Sequence, residues 1–342
     1  MFLFGFCLLN RNFAAKIMTM MGAEKTSTTS RIEQIDYLKA VMIILMVAFH
    51  LVYIGDYYTY AKQIVYTFHM PAFLVISGYL MKTERPIGRF MRTIWWILVP
   101  YVVMETAYTL MAARLPIREH IDVLTAGVVL EKVLLHPLGP YWYLHTMIVC
   151  GITTFAVGRF VKRNTVSRLI ITGLLLFAIS RYAGLLSTAN AMYFLAGAAI
   201  RLCECKFLQI VRPSKWAVLG LILLCSMPEC LDRAATGGVF IVYLSMSFLL
   251  YLWRFIFGKL KSGLLFVGRN TLLVVLFSPI FTILCKQLIP LLQFDSSRLL
   301  FLFISVFITI CGSMAIGWIL DKLNISRYLL GKDKAVISVH SS

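Results

Sequence analysis

The sequence predicts an all-α protein: a polytopic bundle of about ten membrane-spanning helices with both termini on the cytoplasmic side. Three observations predict it. Hydrophobic residues make up 60% of the 342, and only 14% are charged. With a mean hydropathy of +0.83, a soluble chain of this length cannot hide its apolar surface, so lipid has to act as the solvent. The apolar residues form runs near the roughly 20 residues that a spanning helix needs. These runs are too long and continuous for barrel strands, and lipid admits no other spanning backbone. Lysine and arginine alternate with the runs. The segments 22–39, 82–92, 159–168, 201–215, 254–269 and the tail each hold three or four, and no intervening segment holds more than three. Basic residues collect on the cytoplasmic side, which places both ends inside. In a soluble domain the net charge of +18 would suggest nucleic acid. Here topology accounts for it, and no nucleic-acid partner is expected.

Residues 1–30 are set apart as an N-terminal extension. Met1–Leu9 is apolar, but Arg11 and Lys16 follow the run, the reverse of a signal peptide. Two readings stay open: a start-site extension with translation beginning at Met20 or Met21, or a short interfacial segment. Residues 31–330 form the membrane domain. Its first span, 38–54, contains His50. The second, 63–81, contains His69 and Pro71. The third, 93–112, follows Arg89 and Arg92, and the fourth, 141–158, opens on Tyr141-Trp142. Spans five to eight fall at 167–186, 189–203 (short, rich in Gly and Ala), 215–231 and 236–257. The ninth, 271–292, contains Pro279 and Pro290, so a kink or early stop is expected. The tenth is 299–320, and 331–342 is a cytoplasmic tail. Between spans three and four, Ile121, Leu124, Val128 and Leu135 share one face at helical spacing. They predict a short helix on the outer surface, either a connector or a cap over a cavity.

His50 is the most informative residue, because an imidazole at the end of an apolar run is expensive to place. It has the properties of a general base. The plainer reading is a histidine hydrogen-bonded to its neighbours with no chemistry. His69, just before Pro71, is expected at a helix entrance, structural or facing substrate. Arg89 and Arg92, spaced i, i+3, leave one side of a helix start, which suits phosphate; the plainer reading of the residues alone is an ordinary positive-inside cluster. Asp36 and Lys39 are an interfacial pair at the start of span one. Trp142 and Tyr143 fit either ligand stacking or the aromatic belt of the lipid interface. No histidine pair or cysteine spacing suits a metal, the cysteines reading as small apolar filler. Neither a metal nor a permanently bound cofactor is expected.

Several stretches taken in order resemble one family. Arg31-Ile32-Glu33-Gln34-Ile35-Asp36-Tyr37-Leu38-Lys39, leading to His50, is similar to the opening of the membrane acyltransferase-3 family. Phe68-His69-Met70-Pro71-Ala72-Phe73-Leu74-Val75-Ile76-Ser77-Gly78 resembles its second-span signature, in wording closest to the fucose 4-O-acetylase branch. Arg89-Phe90-Met91-Arg92, Gly139-Pro140-Tyr141-Trp142-Tyr143-Leu144 and Phe266-Val267-Gly268-Arg269-Asn270-Thr271 resemble its arginine element, tryptophan motif and late turn. The resemblance covers about 31–330.

It implies a multi-pass protein of the bacterial cytoplasmic membrane that moves an acyl group, usually acetyl, from cytoplasmic acyl-CoA to a hydroxyl of a cell-envelope saccharide or glycolipid. The implied enzyme class is a transferase of acyl groups other than aminoacyl, an O-acetyltransferase. His50 carries over as the essential histidine; Asp36 is counted in the catalytic set from the other end of span one, where with Lys39 it steadies the base of a channel. Arg89 and Arg92 carry over as the acyl-donor arginines; Lys39 is expected on the donor side, and His69, Ser77, Trp142 and Tyr143 on the acceptor side. Direct transfer and an acyl-histidine intermediate both stay open. The sequence departs from the family at Leu276-Phe277-Ser278-Pro279, where many members carry a ninth-span histidine. No extracytoplasmic esterase-like domain is read, so no second transfer in cis is expected. Two rival readings stand: a transporter of a glycan or lipid intermediate, which predicts inverted repeats where no internal repeat is seen, and a regulatory or sensing membrane protein with a degenerate site, motivated by the missing ninth-span histidine.

Overall fold

The computed structural model describes residues 31–114 and 119–338. The N-terminal extension and His340 lie outside the described residues. Within them the chain is helical and contains no strand. Twelve α-helices have nine or more residues: α1 Glu33–His50, α2 Thr59–Leu80, α3 Ile87–Ala112, α4 Ala126–Leu134, α5 Trp142–Phe160, α6 Thr165–Ala178, α7 Thr188–Leu202, α8 Ala217–Cys225, α9 Thr236–Leu252, α10 Gly258–Arg269, α11 Thr271–Leu284 and α12 Leu299–Lys322. Five helical stretches are long and apolar enough to cross a membrane: Ile87–Ala112, Thr165–Ala183, Thr236–Phe255, Thr271–Leu288 and Leu299–Lys322. A helix overlies each predicted span range, but they are not equal. α8 has nine residues, about 14 Å of helix, because Pro228 has no N–H to continue it and opens a 3₁₀ turn over Pro228–Cys230.

The core is built around α1, α2 and α7. The α2–α7 crossing is set by glycine at both sides. A side chain at Gly78 would meet the carbonyl of Phe194, and one at Gly197 the carbonyl of Val75. Backbone therefore lies on backbone, the close approach that small residues permit between apolar helices. On the other side of α1, Gly268 of α10 lies against the carbonyl of Asp36, which fixes the start of α1 against the α10–α11 junction.

Three sequence expectations change. Pro71 lies inside α2 and Pro279 inside α11, and both helices run through them, although α11 does stop early, at Leu284, giving way to 3₁₀ turns over Cys285–Leu288 and Pro290–Leu292. In lipid a broken helix exposes more unpaired backbone than one missing N–H, so neighbours absorb the defect. His69 consequently sits in mid-helix rather than at a helix entrance. The surface helix is shorter than its apolar stripe: α4 starts after Thr125, whose hydroxyl caps the N–H of Val128 at 3.2 Å. Its buried residue is Val133, while Leu124 and Leu135 are exposed. Nor is the start of the tail free. Asp321 accepts the N–H groups of Ala335 (2.6 Å) and Val336 (3.0 Å). Asn270 brackets Ile337, accepting its N–H at 2.7 Å and donating to its carbonyl at 3.0 Å. Residues 331–338 thus form a strap on the bundle.

The crossing gives the first prediction. Gly197→Leu is expected to destabilise the detergent-solubilised protein by about 3 kcal/mol through overpacking. Gly88→Ala, where an added Cβ meets nothing within 4 Å, should change stability by less than about 1 kcal/mol. Thermal denaturation of both variants checks the contrast.

Candidate active site

A cavity of about 560 Å³ opens at the end of the bundle where α1 finishes. α1 contributes Ile43, Met46 and His50; α2 contributes Tyr66, His69 and Phe73; α5 contributes Trp142, Tyr143 and His145. Asn190 of α7 and Arg233, which precedes α9, join the polar part of the wall, together with His136, Thr146 and Ser187.

The state of His50 follows from one contact. Its Nδ1 lies 2.7 Å from the carbonyl of Met46, one turn back. A carbonyl only accepts, so Nδ1 carries the hydrogen and Nε2 keeps its lone pair. His50 is accessible and borders the cavity. The ring is held from the other side by Tyr66, 5.8 Å between centroids, whose hydroxyl donates to the carbonyl of Phe49 at 3.1 Å. That carbonyl belongs to the last turn of α1 and has no helical N–H to take. A second histidine repeats the arrangement. His69 Nδ1 is 2.7 Å from the carbonyl of Val65, its ring is 5.2 Å from Tyr66, and Nε2 is left an acceptor. His145 is turned the other way, with Nε2 donating to the carbonyl of Leu134 at 3.0 Å.

The mouth is shaped by Gly139-Pro140-Tyr141. Glu105 of α3 accepts the N–H of Leu138 at 2.7 Å, and Glu119 accepts that of Gly139 at 2.7 Å. Tyr141 donates to the carbonyl of Leu276 at 2.8 Å. These bonds place Trp142 and Tyr143 at the start of α5, on the cavity. Tyr143 is buried, its hydroxyl 2.5 Å from Ser77 Oγ. Ser77 already donates to the carbonyl of Phe73 at 2.8 Å, so Tyr143 is the donor of the pair.

The expected site residues separate into two groups. His50, His69, Trp142 and Tyr143 are brought together on the cavity. Ser77 is not; it sits behind Tyr143 and positions that ring rather than facing a ligand. Asp36, expected in the catalytic set, is not on the cavity either. Fourteen residues before His50 on the same helix, it lies about 21 Å away from it. It is buried among cations: Arg31 at 2.6 Å, Lys39 at 2.8 Å and Arg269 at 3.6 Å. A carboxylate held this way anchors cations and has no proton acceptor role to spare.

Lys39 shares a face of α1 with Ile43, Met46 and His50, at helical spacing. Arg89 and Arg92 lie in the first turns of α3, exposed, with no guanidinium hydrogen bond or ion pair among the described residues. One turn beyond Arg92 on the same face is Trp96, over whose ring Lys332 of the strap stands, 5.6 Å from the centroid. Burial, and then the nearby Lys39 ammonium, push the Lys332 amine below the ordinary lysine value. The strap thus joins the Lys39 end of α1 to the arginine face of α3. No group of three His, Cys, Asp or Glu is gathered among the described residues.

Sequence reasoning missed Tyr66, Glu105, Asn190 and Arg233. Glu105 and Asn190 had a signal, being polar residues inside apolar runs, which lipid tolerates only where protein or a cavity receives them. Arg233 had none; it reads as an ordinary loop charge.

A helical bundle with a histidine-lined cavity at one end and free arginines on another helix defines a membrane protein built for transfer or transport chemistry. A family model described as an acyltransferase domain resolves the choice: it matches residues 32–318. The chain belongs to that family, the membrane acyltransferase-3 proteins, and is an integral membrane acyltransferase. No curated protein and no solved structure matches it.

The cation cluster gives the second prediction. Asp36→Ala leaves Lys39 and Arg269 without their counter-charge and should destabilise by roughly 3 kcal/mol. Glu33→Ala breaks only the half-exposed pair with Lys261 (2.8 Å) and should cost less than about 1 kcal/mol. Thermal unfolding of the two variants in one detergent compares them.

Proposed function

We propose that the protein is an O-acetyltransferase of a bacterial cytoplasmic membrane, with ten spans and both termini cytoplasmic. In this reading it moves an acetyl group from cytoplasmic acetyl-CoA to a hydroxyl of a cell-envelope saccharide or glycolipid. The observation that carries it is the free Nε2 of His50 on a cavity wall, the lone pair left there by the Nδ1–Met46 bond. An acceptor hydroxyl gives its proton to Nε2 as its oxygen attacks the thioester carbonyl; the C–S bond breaks, and the departing thiolate takes up the proton. His50 is the catalytic residue, and Tyr66 positions its ring.

The donor enters from the opposite end. Arg89 and Arg92 present ten guanidinium hydrogens between them to a phosphate-rich ligand, and Lys39 marks the start of the α1 face that leads to His50. That face runs past Ile43 and Met46, about 16 Å of helix, an apolar wall along which a thioester arm extends. Asp36 holds this entrance together rather than reacting. Trp142 and Tyr143 form the acceptor side, with His69 receiving a hydroxyl. The motif wording Phe68-His69-Met70-Pro71 favours the fucose 4-O-acetylase branch.

His50→Ala should abolish transfer of label from acetyl-CoA to membrane saccharide while the protein stays in the membrane at its usual level. Activity retained in that variant removes His50 from the mechanism. Arg89→Ala and Arg92→Ala should each raise the KM for acetyl-CoA by about tenfold or more, one lost charge-assisted contact apiece. An unchanged KM returns the pair to a topological role.

A further inference from the structure

The cavity holds more recognition chemistry than a proton acceptor needs. His69 is buried, and its Nδ1 hydrogen goes to Val65. Its Nε2 is therefore a bare acceptor, and among the described residues it has no partner. Asn190, buried on α7, leaves Oδ1 equally unpartnered. Buried polar atoms of this kind cost free energy until something answers them. Both are acceptors, so the answer carries hydrogens to donate.

Arg233 supplies the third feature. Its guanidinium stands 5.9 Å from the centre of the Trp142 ring and forms no ion pair among the described residues. No carboxylate lines the cavity. The acids nearby are engaged elsewhere: Asp232 accepts the N–H of Ala234 at 2.9 Å, and Glu119 that of Gly139 at 2.7 Å. Asp56 holds Lys62 at 3.2 Å. A sheltered guanidinium with no anion of its own is a receptor for one.

We propose that the cavity binds an acidic saccharide: a sugar ring bearing a carboxylate or phosphate. The anion sits on Arg233 and the ring lies against Trp142. Two hydroxyls donate to His69 Nε2 and Asn190 Oδ1, and a third meets His50. This names the acceptor class for the acyl transfer proposed above and rests on that reading for the transfer, though not for the binding.

The test uses full-length protein without donor in nanodiscs of phosphatidylcholine. Methyl β-glucuronide, glucose 1-phosphate and methyl β-glucoside are titrated, with binding followed by ligand-observed NMR. At least one acidic sugar should bind about tenfold or more tightly than the glucoside, and the better of the two tells carboxylate from phosphate. Arg233→Leu should reduce it to the level of the neutral sugar, and Arg233→Lys should keep part of the preference. Tyr193 donates to the backbone carbonyl of Arg233 at 2.7 Å, so both variants keep that bond. Three outcomes overturn the proposal: equal binding of all three sugars, no binding of either acidic sugar, or a preference that survives Arg233→Leu. Acid preference without any acyl transfer sinks the transferase reading and leaves this one. Transfer onto neutral glycans with no acid preference does the reverse.

Discussion

A histidine in an apolar helix is tolerable when one ring nitrogen is satisfied inside the helix itself. His50 and His69 both do this, each giving Nδ1–H to the carbonyl one turn behind. The bond fixes the tautomer and the ring plane together, and it leaves Nε2 pointing away from its own backbone. Everything else at that end of the bundle serves the remaining nitrogens. Tyr66 spaces the two rings, α5 closes the wall, and the cavity removes the need for a protein partner at Nε2. A well-packed apolar neighbour in its place would have left two orphaned acceptors in low dielectric.

The two ends of α1 do different work through the same helix face. At one end Asp36 gathers Arg31, Lys39 and Arg269; at the other His50 meets the cavity. Ile43 and Met46 between them are both core residues and cavity wall. Core packing and cavity wall are therefore one surface, and a change of volume there alters both. The mouth is also carried by structure far from it in sequence. Glu105 in mid-helix and Glu119 in a loop tie down consecutive N–H groups ahead of Trp142.

Much of this was legible in the sequence, for identifiable reasons. Apolar run length gave the helices because lipid enforces backbone satisfaction within each segment. It was a poor guide to helix length where proline intervened: Pro228 ended α8, while Pro71 and Pro279 stopped nothing. His50 stood out because its surroundings were wrong for it, and the arginines because they were paired at a helix start. Ser77 and Asp36 belonged to recognisable stretches, yet membership of a stretch does not say which way a side chain points. Ser77 turned out to brace Tyr143, and Asp36 to collect cations. Asn190, a polar residue in the apolar run of α7, carried a local signal; Arg233 reaches the cavity from the segment before α9 by tertiary contacts that no local pattern encodes.

One consequence of the strap concerns the first helix. Arg269 touches Asp36 near the start of α1 and donates to the carbonyl of Ser338 at 3.2 Å, so a single guanidinium joins the first helix to the last described residue. The Arg269 guanidinium at the foot of α1 therefore makes both of these contacts only when residues 331–338 lie on the bundle. A change that unseats the strap is thereby felt at the start of α1, and a change at Asp36 is felt at the strap.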